Sequence, residues 1–444
     1  MNAIDHVFHY AGCSSLVGQD QDRSLFLVGD RTGNNEPQAF LTAFANEPDV
    51  TAKALRAVSE IVGSRFYVPP SQLARILREA DPVATVGPAT VRFEGFSACC
   101  SAYIRLDVDE DALEVAHRSK GTTNVDFGAE LRALLAQTKP DSRLEVTIGP
   151  RAVGLAHERA SVTERKVPLP VRWIKGFGEV QGHLSGMEKA FSLPPVSAQR
   201  FLRSLPRSKS DHRIWVAAAG PRVRTTTRPA PGSVPLRGGH RLRVFETLIG
   251  RARALHVYGN PALESSAWVL DFGSQRLTLV LNAEPWRGFS GDGRLLSDLA
   301  RNEADIAALR AQLNWQDRLD LSSLAQSSDL SQDQVNTAMA HLAALGLVGF
   351  DLADSTWFHR VLPFDMDRVE AMNPRLKAAR NLVDARAVTL EKGVAEVISD
   401  AAVHRVRFGD GAPSCTCPWY AKNKNARGPC KHILAVEMET ERLQ

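Results

Sequence analysis

The feature that most constrains this chain is a pair of short spacings near its end. They read Cys415-Thr416-Cys417, then twelve positions from Pro418 to Pro429, then Cys430-Lys431-His432. Zinc takes four sulfur or imidazole ligands in a tetrahedron, with sulfur at about 2.3 Å and nitrogen at about 2.0–2.1 Å. Two ligands one residue apart face one metal when the backbone between them turns tightly. Cys415, Cys417, Cys430 and His432 are therefore the expected ligands of a Zn2+ ion. Four protein ligands fill the tetrahedron, so the expected role of the metal is structural. A strand-like piece precedes the first pair, and the second pair opens a helix with Ile433, Leu434 and Met438 available to pack inward. The expected unit is a small ββα finger, too poor in apolar residues to fold without its metal.

The other cysteines fit no framework. Six in 444 residues are too few for a disulfide scaffold, which points to a reducing compartment. Cys13 stands alone, and adjacent Cys99 and Cys100 read as buried small hydrophobes in a strand-like stretch. With 44% hydrophobic and 23% charged residues the chain reads as globular. No apolar run approaches the roughly 18 residues of a membrane span. The first residues lack the basic and apolar regions of a secretory signal. The expected location is the cytoplasm, with no membrane partner.

The expected fold class is α+β multidomain. Residues 1–195 read as a mixed α/β region, with half-buried strands at Tyr103–Val108 and Leu144–Ile148 around a helix at Ala129–Ala136. Pro194 and Pro195 suggest a boundary. Residues 196–300 read as a basic, β-rich region, with a Pro/Gly-rich linker at Pro229–Pro235. Strands are expected at Arg241–Val244, Leu255–Tyr258, Trp268–Leu270 and Leu277–Leu281. Residues 301–365 carry three helical stripes and two strand-like pieces, the pattern of a winged helix-turn-helix. Within it, Ser331 with Gln334 forms a capping box, and Gly346 fits the end of that helix. Residues 366–444 hold a polar helix near Arg375–Leu382, three strands and the cysteine motif.

C-x-C, a variable spacer and C-x-H followed by an apolar helix resemble the SWIM zinc finger. The wider chain is similar to bacterial SWIM zinc finger proteins found beside MoxR-type AAA+ ATPases and von Willebrand A-domain proteins. That likeness is carried by Thr122–Phe127, by Glu164–Pro170 with Trp173, and by Trp286–Gly291. It implies those two protein partners and an association with DNA or protein binding.

Charge is unevenly spread. Residues 200–257 hold thirteen Lys or Arg against two acids, a local +11. With +4 on the whole chain, the remainder carries −7. Arg222, Arg224, Arg228, Arg241 and Arg243 are the candidate phosphate contacts there. In the finger spacer, Lys422, Lys424 and Arg427 join them, beside Trp419 and Tyr420 as base-stacking candidates. The helix after Ser331 carries no Lys or Arg, which favours a structural or protein-contact role for it. Two Asp-Phe-Gly triplets lack the other kinase motifs. No Walker motif or nucleophile–base pair stands out, so no enzyme is expected. The leading expectation is a zinc-binding protein that binds nucleic acid, DNA first, alongside an AAA+ ATPase. The alternative is an adaptor in a MoxR/von Willebrand A-domain system that never touches DNA.

Overall fold

The computed structural model describes residues 15–17, 24–26, 39–65, 82–124, 127–167, 169, 171–210, 212–220, 222–260, 262–284, 288–289, 303–362, 374–409, 412–424 and 428–442. It is a mixed α/β structure with several sheets. The largest is an eight-stranded antiparallel sheet. Its strands run in the order Glu188–Leu193, Ala254–Asn260, Ser265–Asp271, Gln275–Asn282, Ala102–Asp109, Thr90–Phe96, Val83–Val86, Gly121–Asn124. A second sheet of five strands has the buried strand Leu41–Ala45 beside its edge strand Leu113–Arg118.

The eight-stranded sheet joins parts of the chain expected to be separate. Leu279 pairs with Ile104 and Leu277 with Leu106, so residues from both sides of the expected 195/196 boundary share one ladder. Pro195 does not interrupt the fold at the expected boundary. It opens helix Pro195–Ser204, because its fixed φ suits a first helical turn whose N–H groups lack partners anyway. Arg241–Val244 is not a strand either. It lies in the 3₁₀ helix Gly239–Thr247, entered through Gly238 at φ +71°.

The strand at Ala102–Asp109 was expected to have one wet face. All but its last residue are buried. The alternation of Tyr103, Arg105 and Asp107 faces a second layer instead of solvent. That layer comprises helix Val171–Ser185, whose Trp173 and Phe177 pack edge-on to Phe96, and the 303–362 segment.

The 303–362 segment contains helices Glu303–Arg310, Leu321–Ser328 and Gln332–Ala344, then a hairpin of Val348–Asp351 and Thr356–His359. The capping box forms between Ser331 and Gln334, and Gly346 at φ +74° follows the helix end. The hairpin faces inward. Arg105 donates to the Phe350 carbonyl at 2.7 Å, and Gln181 accepts from the Phe350 N–H at 2.7 Å. Arg276 reaches Asp351 at 3.3 Å, and Arg92 lies 3.8 Å over the Phe358 ring. Arg360 pairs with Glu94, both fully buried, and the Tyr103 hydroxyl donates to Glu94 at 2.6 Å. Burial and the Glu94 charge push the Tyr103 phenol far above its ordinary range. These charges tolerate burial because each meets an opposite charge or a fixed hydrogen bond.

Among the described residues, no helix is long and apolar enough to cross a membrane.

Candidate metal centre

The last section is a four-stranded sheet of Val388–Glu391, Val394–Ser399, Ala402–Arg407 and Ser414–Cys415, with helices Pro418–Asn423 and Lys431–Arg442. The three strands expected ahead of the motif are present; a fourth short strand, Ser414–Cys415, extends their sheet, and the spacer folds its own short helix. Pro418 at the first helical position starts that helix without losing a hydrogen bond.

Each expected ligand sits where an element begins or ends. Cys415 closes an edge strand, Cys417 caps the spacer helix, and Cys430 and His432 flank the start of the last helix. Their four ligand atoms lie within 4.8 Å of one another, and all four residues are buried. His432 Nδ1 is 3.7 Å from Cys415 Sγ and 4.0 Å from Cys430 Sγ. Ligands about 2.1–2.3 Å from a tetrahedral metal stand about 3.5–3.8 Å apart, so the cluster needs little contraction to hold Zn2+. Backbone N–H groups already point at sulfur. Cys417 N donates to Cys415 Sγ and Tyr420 N to Cys417 Sγ, both at 3.4 Å. Such donors stabilise thiolate charge and orient the ligands.

The protonation of the cluster points the same way. A hydrogen bond from Cys415, aided by His432, holds the Cys430 thiol down at about 4. That same hydrogen bond, then burial, pushes Cys415 far up, and burial raises Cys417. Three thiolates this close repel one another. A divalent cation lets all three ionise together.

The centre is tied to its surroundings. Ala395, Val397, Val406, Ile433 and Val436 pack around the ligands, while Leu434 and Ala435 join the main core. Arg375 donates to the Pro429 carbonyl at 2.8 Å. The His404 ring lies 4.3 Å from that of His432.

The SWIM zinc finger family model matches residues 404–440. This section is a SWIM-type metal centre. The match spans all four ligands of the finger and the last helix up to Thr440. No curated protein matches the chain. Among solved structures, the chain is similar to the "Crystal structure of Proliferating Cellular Nuclear Antigen from Entamoeba histolytica". Identity is 11% and the TM-score 0.37, over 55% of this chain and 98% of that one. That likeness is too slight to define the fold.

The proposed phosphate contacts separate into two groups. Arg222, Arg224 and Arg228 are exposed, the first two on the edge strand Arg222–Thr226. Lys422 and Lys424 are exposed in the SWIM spacer. Arg241 and Arg243 turn inward, against expectation. Arg241 is 4% exposed and donates to Ser101 Oγ at 2.8 Å and Cys99 Sγ at 3.2 Å. Arg243 donates to the carbonyls of Leu202, Arg203 and Leu205 and pairs with Glu246 at 2.7 Å. The expected strand is the 3₁₀ helix Gly239–Thr247, which turns both side chains toward the fold. Trp419 carries the Arg375 guanidinium 4.6 Å above its ring, and Tyr420 donates to the Pro413 carbonyl, so both aromatics already serve the finger. Cys100 is buried, and Cys99 is half-buried. Cys13, Arg427, Trp286 and Gly291 lie outside the described residues.

What the linear reading missed was the buried charge: Arg105, Arg360, Glu94 and Asp351. Arg105 sat in a plain alternating pattern, and Glu94 and Arg360 had no local partner to mark them.

Proposed function

We propose that this is a zinc-dependent nucleic-acid-binding protein whose SWIM finger is structural and whose preferred ligand is DNA. The observation that carries the reading is the state of Arg222, Arg224 and Arg228. All three are exposed, and no ion pair or hydrogen bond engages their guanidinium groups among the described residues. Neighbouring arginines are used internally: Arg213 pairs with Glu264 and Arg251 with Glu47. Cations left unneutralised side by side attract a polyanion and release its counterions. The protein acts by binding rather than catalysis, in the cytoplasm. A MoxR-type AAA+ ATPase and a von Willebrand A-domain protein are its proposed partners, on the sequence resemblance alone.

The 303–362 segment has the element order of a winged helix, and we read it as a brace rather than a DNA reader. Its hairpin is committed to Arg105, Gln181 and Arg276, and Val335 through Ala344 are largely buried. The exposed start of its third helix offers Gln332, Asp333, Gln334 and Asn336, with no cation.

The test is binding of the zinc-loaded protein to labelled DNA across a salt series. Affinity should fall with a log–log slope of about −0.9 per neutralised phosphate, and charge reversal at Arg222, Arg224 and Arg228 should flatten it. No binding at low salt would favour the adaptor reading, with the arginines facing a protein.

A further inference from the structure

We propose that Cys99 is an ionised, reactive thiol that hydrogen peroxide converts to a sulfenic acid. The site is separate from the metal centre and independent of nucleic-acid binding.

The chain turns between strands Thr90–Phe96 and Ala102–Asp109 through residues 97–101. Three hydrogen bonds hold that turn in place. The Ala98 N–H donates to the Ser64 carbonyl at 2.8 Å, the Cys100 carbonyl accepts from Phe289 at 2.7 Å, and the Ser101 carbonyl accepts from Asn282 at 3.1 Å. The fixed turn keeps the Cys99 sulfur where donors converge. Arg241 donates to it at 3.2 Å. Ser101 Oγ stands 3.1 Å from the sulfur and already accepts from Arg241 at 2.8 Å, so its hydroxyl proton is left for the sulfur. Ser97 Oγ, 3.6 Å from the sulfur, accepts from the Ala102 N–H at 3.0 Å and is placed in the same way. Donors and a cation around one sulfur favour its charged form.

The charge on Arg241 points to the same state. Arg241 is 4% exposed, and a guanidinium does not deprotonate in a protein. Among the described residues no carboxylate pairs with it, and its Nε–H has no hydrogen-bond partner. A buried cation calls for an anion. Of the two side chains that accept its hydrogen bonds, Ser101 and Cys99, only Cys99 ionises. Arg241 also lines a cavity of about 520 Å³ with Glu60, His240 and Glu246. Glu246 is engaged by Arg243 at 2.7 Å, and burial, then Arg241, hold His240 down at about 4, uncharged at neutral pH.

The adjacent cysteine has the opposite setting. Cys100 is buried, and burial pushes its thiol up to about 12 against the pull of Arg172. Cys99 is half-buried, within reach of a molecule as small as hydrogen peroxide. Its thiolate attacks one peroxide oxygen. The S–O bond forms as the O–O bond breaks, sulfur gives up two electrons, and hydroxide leaves and takes a proton from water. The Arg241 charge beside the sulfur offsets the negative charge that develops on the departing oxygen.

The test uses the full zinc-loaded chain. Iodoacetamide alkylation is followed at each cysteine peptide by mass spectrometry between pH 6 and 8, and dimedone traps sulfenic acid after a hydrogen peroxide pulse. A thiol titrating at about 8.5 alkylates about 75-fold more slowly at pH 6 than at pH 8. Cys99 should slow by less than about threefold, and it should carry the dimedone adduct while Cys100 does not. Arg241→Met should restore the steep pH dependence at Cys99. If that variant fails to fold, the profile of the unsubstituted chain decides alone. A steep profile at Cys99 in the unsubstituted chain, or no alkylation at any pH, overturns the ionised thiol. A shallow profile unchanged in a folded Arg241→Met overturns the role of Arg241. A shallow profile without a dimedone adduct overturns the peroxide step. Zinc content measured alongside confirms that the finger stays intact.

Discussion

Replacing Cys430 with Ser separates the metal's contribution from that of the surrounding fold. Cys430 is 1% exposed, carries the lowest thiol pKa of the cluster, and sits where the last helix begins. Structural zinc contributes about 10–16 kcal/mol in comparable fingers at neutral pH. Val397, Val406, Ile433 and Val436 form the apolar packing around the ligands, each at most 2% exposed. At about 2 kcal/mol apiece they contribute about 8 kcal/mol, less than the metal does. Loss of the metal is therefore expected to open the finger. Upstream, Ile104, Trp268, Leu270 and Leu279 are fully buried without reference to the metal. The expected result is loss of bound zinc and loss of amide protection over residues 388–442, with strands 102–109 and 265–282 still protected. Helix Pro374–Asp384 should exchange faster too, because Leu376 and Ala379 share a core with Leu434 and Ala435. Zinc is quantified by a chromophoric chelator and protection by hydrogen-exchange mass spectrometry. One tightly held zinc per chain in the variant would refute the ligand assignment, and unchanged finger protection would refute the energetic argument.

Other outcomes follow from the buried charges and caps. Arg360→Leu strands Glu94 in the core and should cost about 3–5 kcal/mol in chemical denaturation, whereas adding Glu94→Leu should recover much of it. His359 is held down at about 4 by burial, then by Lys120, against 6.5 when unfolded. Protonation thus favours the unfolded chain: its stability contribution is complete above pH 6.5 and drains as pH falls toward 4. His359→Gln should flatten that part of the profile of Tm against pH for the main body, and an unchanged profile would count against it. Ser331→Ala removes one half of the capping box and should lower stability by about 1 kcal/mol, with faster exchange confined to the first turn of its helix.

The features legible in the sequence were those written locally. The four ligands lie within eighteen positions, so spacing and chemistry named them. The capping box, Gly346 and the strands around Leu255–Tyr258 and Leu277–Leu281 were also readable, because caps and period-two patterns involve near neighbours. Arg222–Thr226 is a case between. Its charge was visible, but its place on a sheet edge was not.

By itself the sequence determined a metal centre, because zinc ligation depends on residue type and short spacing. It also pointed to a chain that mixes helices and strands, with a strongly basic middle. Only the tertiary structure decided which basic residues remain available. Arg241 and Arg243 are absorbed by Ser101, Cys99, Glu246 and backbone carbonyls, while Arg222, Arg224 and Arg228 stay in solvent. It also decided that strands about 170 residues apart pair into one sheet, and that the 303–362 hairpin faces Arg105 and Glu94 rather than solvent. The physical reason is common to these cases. A charge takes its role from the partner that meets it, and that partner is brought there by ladders whose pairing no local pattern encodes.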